Sequence, residues 1–382
     1  MTLRHQAPAL VFTFFSLFSV SCGENNQRSA IKVSDVRHTP VKRQSIGNCW
    51  LYATSTWAES LHLAATGNTV NLSESYWTYW DWFRKIVGSS GSTIETGGSW
   101  RLASNIIRNH GYMLEGDFLP AEAEAQMSDV QRSAEIQINE ALKSGDLKDP
   151  SQRTPENVKA ALNKAFGVDI DSLNSKIKPA HELQTGKLVH DEPLTLADEI
   201  AGGRHAWSNE FYPQLFGENA REPRLIKRRR ANLLLRVLRA VNDRSPVIMS
   251  SMVEFAALNT EKNSTFEYDL YLKKGYSEGQ GGHLIVLEDY VVNNVPGVGR
   301  IGEGDVSNDL KEKALDGTVE YLVVKNSWGT DRAERGITDG YTRFEMKYLD
   351  QPLPFDLNHG DSDLKNGIWY SALSNFILPP EY

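Results

Sequence analysis

Thr39-Pro40-Val41-Lys42-Arg43-Gln44-Ser45-Ile46-Gly47-Asn48-Cys49-Trp50 runs directly into Leu51-Tyr52-Ala53-Thr54-Ser55-Thr56-Trp57-Ala58-Glu59-Ser60-Leu61. Trp50, Ala53, Trp57 and Leu61 recur at the spacing of one helical face, which predicts a buried helix opening at Cys49. A thiol reacts as its thiolate, and a helix N-terminus favours that charged form. Gly47 lets the chain turn tightly just ahead of it. A cysteine on its own is more often a small buried apolar residue. Two later segments set this one apart: Gly281-Gly282-His283, then Lys325-Asn326-Ser327-Trp328-Gly329. A Cys, a later His and an Asn, in that order, are the parts of a nucleophile, its base and the group that orients the base.

His283 follows two glycines and opens the apolar run Leu284-Ile285-Val286-Leu287, so its ring can face a cleft while the strand is buried. None of the other histidines has comparable surroundings. The neutral ring takes the thiol proton, and the resulting ion pair is the attacking form. Asn326 is placed to hold the far ring nitrogen, and Trp328 to shield that bond from water.

Outward from these motifs, the chain of 382 residues has room for one large domain or two lobes, and its 40% hydrophobic content suits a packed globular enzyme. A net charge of −8 argues against nucleic acid as the main partner. Residues 1–22 read as a signal peptide: Arg4 and His5, an apolar run from Pro8 to Val20 too short to span a bilayer, then Ser21-Cys22. The ending Ser19-Val20-Ser21-Cys22 resembles a bacterial lipoprotein cleavage box, with Ser19 where an aliphatic residue is usual. Lipidation of Cys22, plain secretion and a retained anchor all remain open. Cys22 and Cys49 are the only cysteines. With Cys22 lipidated, Cys49 is a free thiol in an exported protein, the mark of a reactive residue, and metal sites built on cysteine are excluded. The expected location is therefore the bacterial cell envelope (periplasm or outer membrane) or the exterior.

Residues 23–37 read as a polar linker, and 38–382 as the catalytic domain. Within it, 38–120 is helical. Ser73 is an N-cap for an aromatic-rich helix, and Trp100 to Asn109 is a helix stopped by Gly111. Residues 121–240 are rich in Ala, Glu, Gln, Lys and Arg and show no strand pattern, which predicts a helical insertion. Residues 241–382 turn strand-like at Val247-Ile248-Met249, Leu284-Ile285-Val286-Leu287 and Tyr321-Leu322-Val323-Val324. Asn293 to Gly317 reads as a long surface loop.

Taken together, Gln44 with Gly47-Asn48-Cys49-Trp50, Gly97-Gly98 before Trp100, and Lys325-Asn326-Ser327-Trp328-Gly329 with Gly340-Tyr341 resemble the papain family of cysteine peptidases. The order Leu72-Ser73-Glu74-Ser75-Tyr76, Trp80-Asp81, Gly97-Gly98-Ser99-Trp100 and His110-Gly111-Tyr112 is similar to the bleomycin hydrolase-like branch. The resemblance covers about half the chain; residues 121–240 have no counterpart in the plain form. It implies an α+β, two-lobed fold, a helical lobe plus a β-rich lobe with a large helical insertion. It implies hydrolysis of peptide bonds in a peptide or protein substrate, with no metal or organic cofactor. Gln44 would join the backbone N–H of Cys49 in holding the oxyanion. It lies five positions before Cys49, one fewer than in the family pattern. Gly98 and the carbonyl of Gly282 would bind substrate backbone. In the bleomycin hydrolase-like branch the C-terminus blocks one side of the cleft, and Phe376 to Tyr382 is the segment available for that. An acyltransferase or amidase acting on cell-wall peptides, and an inactive peptide-binding homologue, are the alternatives. Oligomeric state, and exo- against endo-cleavage, are not decided by the sequence.

Three further patterns carry less. Gly297-Val298-Gly299-Arg300-Ile301-Gly302 has dinucleotide-loop spacing but is followed by a polar run rather than a helix. Asp361-Ser362-Asp363 puts Lys365 where a calcium loop needs oxygen. Arg228-Arg229-Arg230 with Leu233 to Leu235, Arg236 and Arg239 suggests a basic amphipathic helix, a solvated face or domain contact, with an anionic membrane as the other reading.

Overall fold

The computed structural model describes residues 36, 39–187, 192–214, 223–275, 279–353 and 370–382. The signal peptide, Cys22 with its lipidation, and the Asp361 pattern lie outside the described residues.

Helix α1 (Cys49–Thr66) is followed by α2 (Glu74–Ile86) and α3 (Trp100–His110). The side chains of Ser73 and Ser99 accept from backbone N–H groups three residues on, at Tyr76 and Leu102, and so cap α2 and α3. Gly111 ends α3, its N–H returning to the Ile107 carbonyl. A single turn, α4 (Glu115–Phe118), leads to α5 (Asp129–Lys143) and α6 (Pro155–Phe166). Trp57, at the centre of α1, meets Trp100 edge-on at 4.6 Å and Trp207 at 5.2 Å.

The stretch 121–240 is mostly helical, through α5, α6 and the two helices below, but it also holds strands that its sequence does not announce. After α6 come β1 (Gln184–Lys187) and β2 (Pro193–Thr195), which pair with each other, then α7 (Leu196–Ile200), β3 (Ser208–Phe211) and α8 (Pro223–Asn242). These strands are three to four residues long and half exposed, too short for a period-two pattern to show above the polar background. The region is also built into the helical layer: Ile138, Leu142, Leu162, Phe166 and Trp207 share one buried core with Trp50, Trp57 and Trp82.

The β-rich part is a mixed sheet. Its strands are β4 (Val247–Glu254), β5 (Leu258–Asn259), β6 (Thr265–Phe266), β7 (Gln280–Val295), β8 (Gly299–Ile301), β9 (Thr318–Lys325), β10 (Tyr341–Glu345) and β13 (Leu373–Leu378). Together with β3 they stand in the order β3-β13-β4-β7-β9-β10-β6-β5, with β8 folded onto β7. Short helices α9 (Tyr268–Lys274), α10 (Asn308–Ala314) and α11 (Met346–Asp350), and the pair β11 (Pro352–Leu353) and β12 (Tyr370–Ser371), complete the fold. Successive side chains of a strand point to opposite faces. Thus Ile248, Val286 and Ile377 enter the core with α1, whereas Val247, Met249, Ile285 and Leu287 enter a second core with Val237 and Val241 of α8. The architecture is α+β, a helical layer and a β-rich layer meeting where α1 lies on β7.

Two further readings change. The expected loop 293–317 is mostly ordered structure: β7 runs on to Val295, turns through Pro296-Gly297 into β8, and α10 follows. The dinucleotide-like glycines are this hairpin turn; the Pro-Gly pair was the signal for it. The C-terminal segment does not block a cleft. In β13, Leu373 lies opposite Ser251, itself opposite His283, whereas Ile377 lies opposite Ile248, itself opposite Val286. The strand therefore carries the chain away from His283, and Arg236 of α8 holds the Tyr382 carbonyl oxygen at 2.6 Å. In α8, Arg230 is buried and bonds Asp350, Pro213 and Ser371, so part of the basic stripe is an internal contact, and Arg228 and Arg229 form the exposed part.

Candidate active site

Cys49 is the first residue of α1 and is buried. Asn48 precedes it without capping the helix; its amide instead donates to Thr78 at 3.0 Å and Gln131 at 2.9 Å. The N–H groups of Leu51 and Tyr52 return to the Asn48 carbonyl, and those of Cys49 and Trp50 face the sulfur. Burial pushes the thiol pKa up, and backbone N–H groups of Leu284, Trp50 and Cys49 itself pull it partly back. Leu284 is the residue after His283 on β7, so the sulfur sits against the strand that carries the candidate base.

His283 is also buried, and its Nε2 lies 2.9 Å from Oδ1 of Asn326. Asn326 follows β9, the strand beside β7. Its Nδ2 donates to Oγ1 of Thr342 on β10 at 3.1 Å. With Oδ1 as the atom facing the ring, Nε2 is the nitrogen that donates to it, which leaves Nδ1 as the basic nitrogen. Trp328 stacks on the imidazole with centroids 5.1 Å apart and planes inclined by 21°. Burial pushes His283 down to about 4, the Asn326 bond opposing and Arg335 adding to the depression.

Gln44 lies in the same region. Its backbone N–H donates to the Ser327 carbonyl at 2.9 Å, and its side-chain oxygen accepts from Ser327 Oγ at 2.6 Å. Its Nε2 donates to the Ile46 carbonyl at 2.8 Å. A primary amide has two N–H groups, so one is left for another acceptor. The loop to Cys49 is one residue shorter than the family pattern, and the bond to Ile46 turns the Gln44 side chain back onto the start of that loop. Gly98 lies against the Trp50 indole so closely that any Cβ would overlap the ring. Trp50 is pinned by its Nε1 bond to the Thr96 carbonyl at 2.9 Å, and Lys85 binds the Gly97 carbonyl at 2.7 Å. Gly282 is exposed, with open space where a side chain would lie.

The structure brings His283, Asn326 and Trp328 together, seats Gln44 on Ser327, and sets Cys49 against Leu284, the residue after His283. The sequence did not single out Thr342, which fixes the amide face of Asn326, or Ser327 as the holder of Gln44. Thr342 directly follows Gly340-Tyr341, and strand register opposite Val324 is what brings it under Asn326. Below the site a buried ionic network ties the segment before Cys49 to α1 and α2. Lys42 reaches Glu59 at 2.9 Å and Glu74 at 2.7 Å, Glu59 also accepts from Thr39 at 2.6 Å, and Lys325 donates to the Thr39 carbonyl at 2.7 Å. Among the described residues no group of three or more His, Cys, Asp or Glu is arranged to hold a metal ion.

No family model and no curated protein matches the chain. Among solved structures, similarity is found to PepW from Lactobacillus rhamnosis (12% identity over 91% of this chain and 80% of that one, TM-score 0.41). Xylellain, a cysteine protease from Xylella fastidiosa, is similar at 12% identity over 91% of this chain and 86% of that one, TM-score 0.37. A Carica candamarcensis cysteine protease solved in complex with E-64 is similar at 14% identity over 89% and 92%, TM-score 0.32. At this distance the chemistry has to be decided by the side chains at the start of α1 and on β7.

Proposed function

We propose that the chain is a cysteine-type peptidase of the papain-like kind. The single observation that supports this most is the His283 Nε2–Asn326 Oδ1 bond on the strand whose next N–H meets the Cys49 sulfur. Nδ1 of His283 takes the thiol proton, and the sulfur attacks a peptide carbonyl carbon. The free side-chain N–H of Gln44 and the backbone N–H of Cys49 hold the oxyanion. His283 then passes its proton to the leaving amine as the C–N bond breaks, giving a thioester on Cys49. Water, losing a proton to Nδ1, attacks the thioester; the C–S bond breaks, and the proton returns to the sulfur. Asn326 keeps the ring in one tautomer throughout, and Gly98 and Gly282 present the backbone edges along which the substrate lies. With an anchor at Cys22, the enzyme acts at the bacterial envelope.

The test is intact mass after an epoxide inhibitor selective for papain-like thiols, with His283→Ala beside the wild type. One adduct on the wild type and slow or absent labelling of the variant is expected. Equal, slow labelling of both would mean an ordinary thiol and defeat the proposal. Peptide hydrolysis against transfer to an added amine then separates a peptidase from an acyltransferase.

A further inference from the structure

Beside Trp328 sits a guanidinium that the catalytic cycle does not use. Cζ of Arg335 lies 4.6 Å from the Trp328 ring centroid and 4.6 Å from that of Phe255. The ring it covers is the one stacked on His283, and its charge is felt there, since it helps depress the His283 pKa. The loop that carries it is fixed. Arg332 and Ile337 exchange both backbone bonds, at 2.9 and 3.1 Å. Gly336 adopts φ 67° with its α-carbon against the Thr260 carbonyl, where any Cβ would collide.

Neither ring offers the guanidinium a hydrogen-bond acceptor, since a Phe ring has none and an indole N–H only donates. Among the described residues, the Arg335 side chain has no hydrogen-bond acceptor and no carboxylate in ion-pair contact, although the charge of Glu334 acts on it through space. Its neighbour Glu334 pairs with Arg332 instead. A second cation arrives from the other side of the site. Arg43, next to Gln44, lays its side chain along Gly329 and has no acceptor among the described residues either, and its charge reaches Arg335. Two half-buried arginines thus stand near Trp328, Arg335 over its ring and Arg43 beside the following Gly329. Such groups are matched best by a carboxylate, which can take a bidentate bond.

The side on which the leaving group lies follows from the proposed mechanism. His283 gives its proton to the leaving amine, so the residues beyond the scissile bond lie over His283 and Trp328. On the peptidase reading, we infer that Arg335 and Arg43 select substrates bearing a carboxylate on the leaving-group side, within two residues of the scissile bond. An acidic side chain and the substrate's own C-terminal carboxylate present the same chemistry.

Three quenched peptides with one acyl side distinguish the two sources: a neutral leaving group amidated at its end, the same leaving group with a free C-terminal carboxylate, and an amidated one with Asp directly after the scissile bond. The wild type is expected to favour one or both carboxylate peptides by about tenfold in kcat/KM, with the preference falling as salt rises. Arg335→Gln should collapse the ratio to below about twofold, and Arg335→Lys should keep part of it. If Arg335→Gln does not fold, Arg43→Gln carries the same comparison. Equal kcat/KM for all three peptides in the wild type overturns the inference and leaves the peptidase reading standing. No cleavage of any peptide, with no inhibitor adduct on Cys49, overturns both.

Discussion

Acid should destabilise this fold through His283, by an amount that can be worked out. The residue is 4% exposed, and burial holds its pKa at about 4 against the ordinary 6.5. Between those two values the unfolded chain binds a proton that the folded site refuses. The unfolded state therefore binds more protons, and stability falls as pH falls through the window. The loss is absent above pH 6.5 and complete below the folded value. At 1.36 kcal/mol per unit, the shift amounts to about 3 kcal/mol. His283→Gln removes the titration while keeping a side-chain N–H for Asn326. Guanidinium unfolding from about pH 7.5 to about pH 4 should show the wild type losing about 3 kcal/mol more than the variant. Carboxyls raised by burial, such as Glu199 at about 7, titrate in the same window but do so in both proteins and cancel. Parallel stability curves would refute the premise that a neutral imidazole is sealed between Asn326 and Trp328.

Asn326→Ala should lower kcat/KM by about 10- to 100-fold, the worth of one bond to a charged group, and shift the acid limb of the pH profile to lower pH, because that bond raises the His283 pKa; a limb that stays put, measured by peptide hydrolysis, would make Asn326 merely structural. Gly98→Ala drives a methyl into the Trp50 indole and should cost about 1–3 kcal/mol in thermal unfolding, with lowered activity since Trp50 adjoins Cys49. Glu59→Gln leaves Lys42 short of a partner within a buried network and should cost about 3 kcal/mol; a loss below about 1 kcal/mol in urea unfolding would mean that Glu74 alone balances the charge.

The sequence showed most where chemistry and periodicity coincide. The helix from Cys49 is legible because Trp50, Trp57 and Leu61 all face one core, and β4, β7 and β9 because β-branched runs fill both faces of a central sheet. Between 121 and 240, β1 to β3 escaped notice since none shows a pattern of its own: β1 and β2 hold only each other, and β3 exists because it borders β13, distant in sequence. The path of the C-terminal segment could not be read for the same reason. Its two prolines end a strand that is interior only because β3 and β4 flank it. Within the site, nucleophile, base and orienting amide were legible from residue type and order. Thr342, Ser327 and Arg335 were not, since a Thr, Ser or Arg in a strand or loop carries no signal until register sets it against Asn326, Gln44 or Trp328.

Burial pushes Cys49 up and His283 down, so each group taken singly prefers to be neutral. Transfer of the proton from sulfur to imidazole creates two opposite charges at once. At a separation of ~4 Å and an effective dielectric of ~20, their attraction is about 4 kcal/mol. That is close to the desolvation cost carried by the imidazole alone, so neighbouring groups decide the balance. Asn326 favours the imidazolium and Arg335 disfavours it. A substrate carboxylate seated on Arg335 would offset the one neighbour that opposes charge separation. Its arrival would therefore raise the proton affinity of His283 and tip the pair toward the thiolate. On this argument a carboxylate in the leaving group acts on kcat as well as KM: it positions the peptide, and it also removes a positive charge from beside the base. Salt would then weaken both effects together, whereas a purely positional role would leave kcat unmoved as the ionic strength rises.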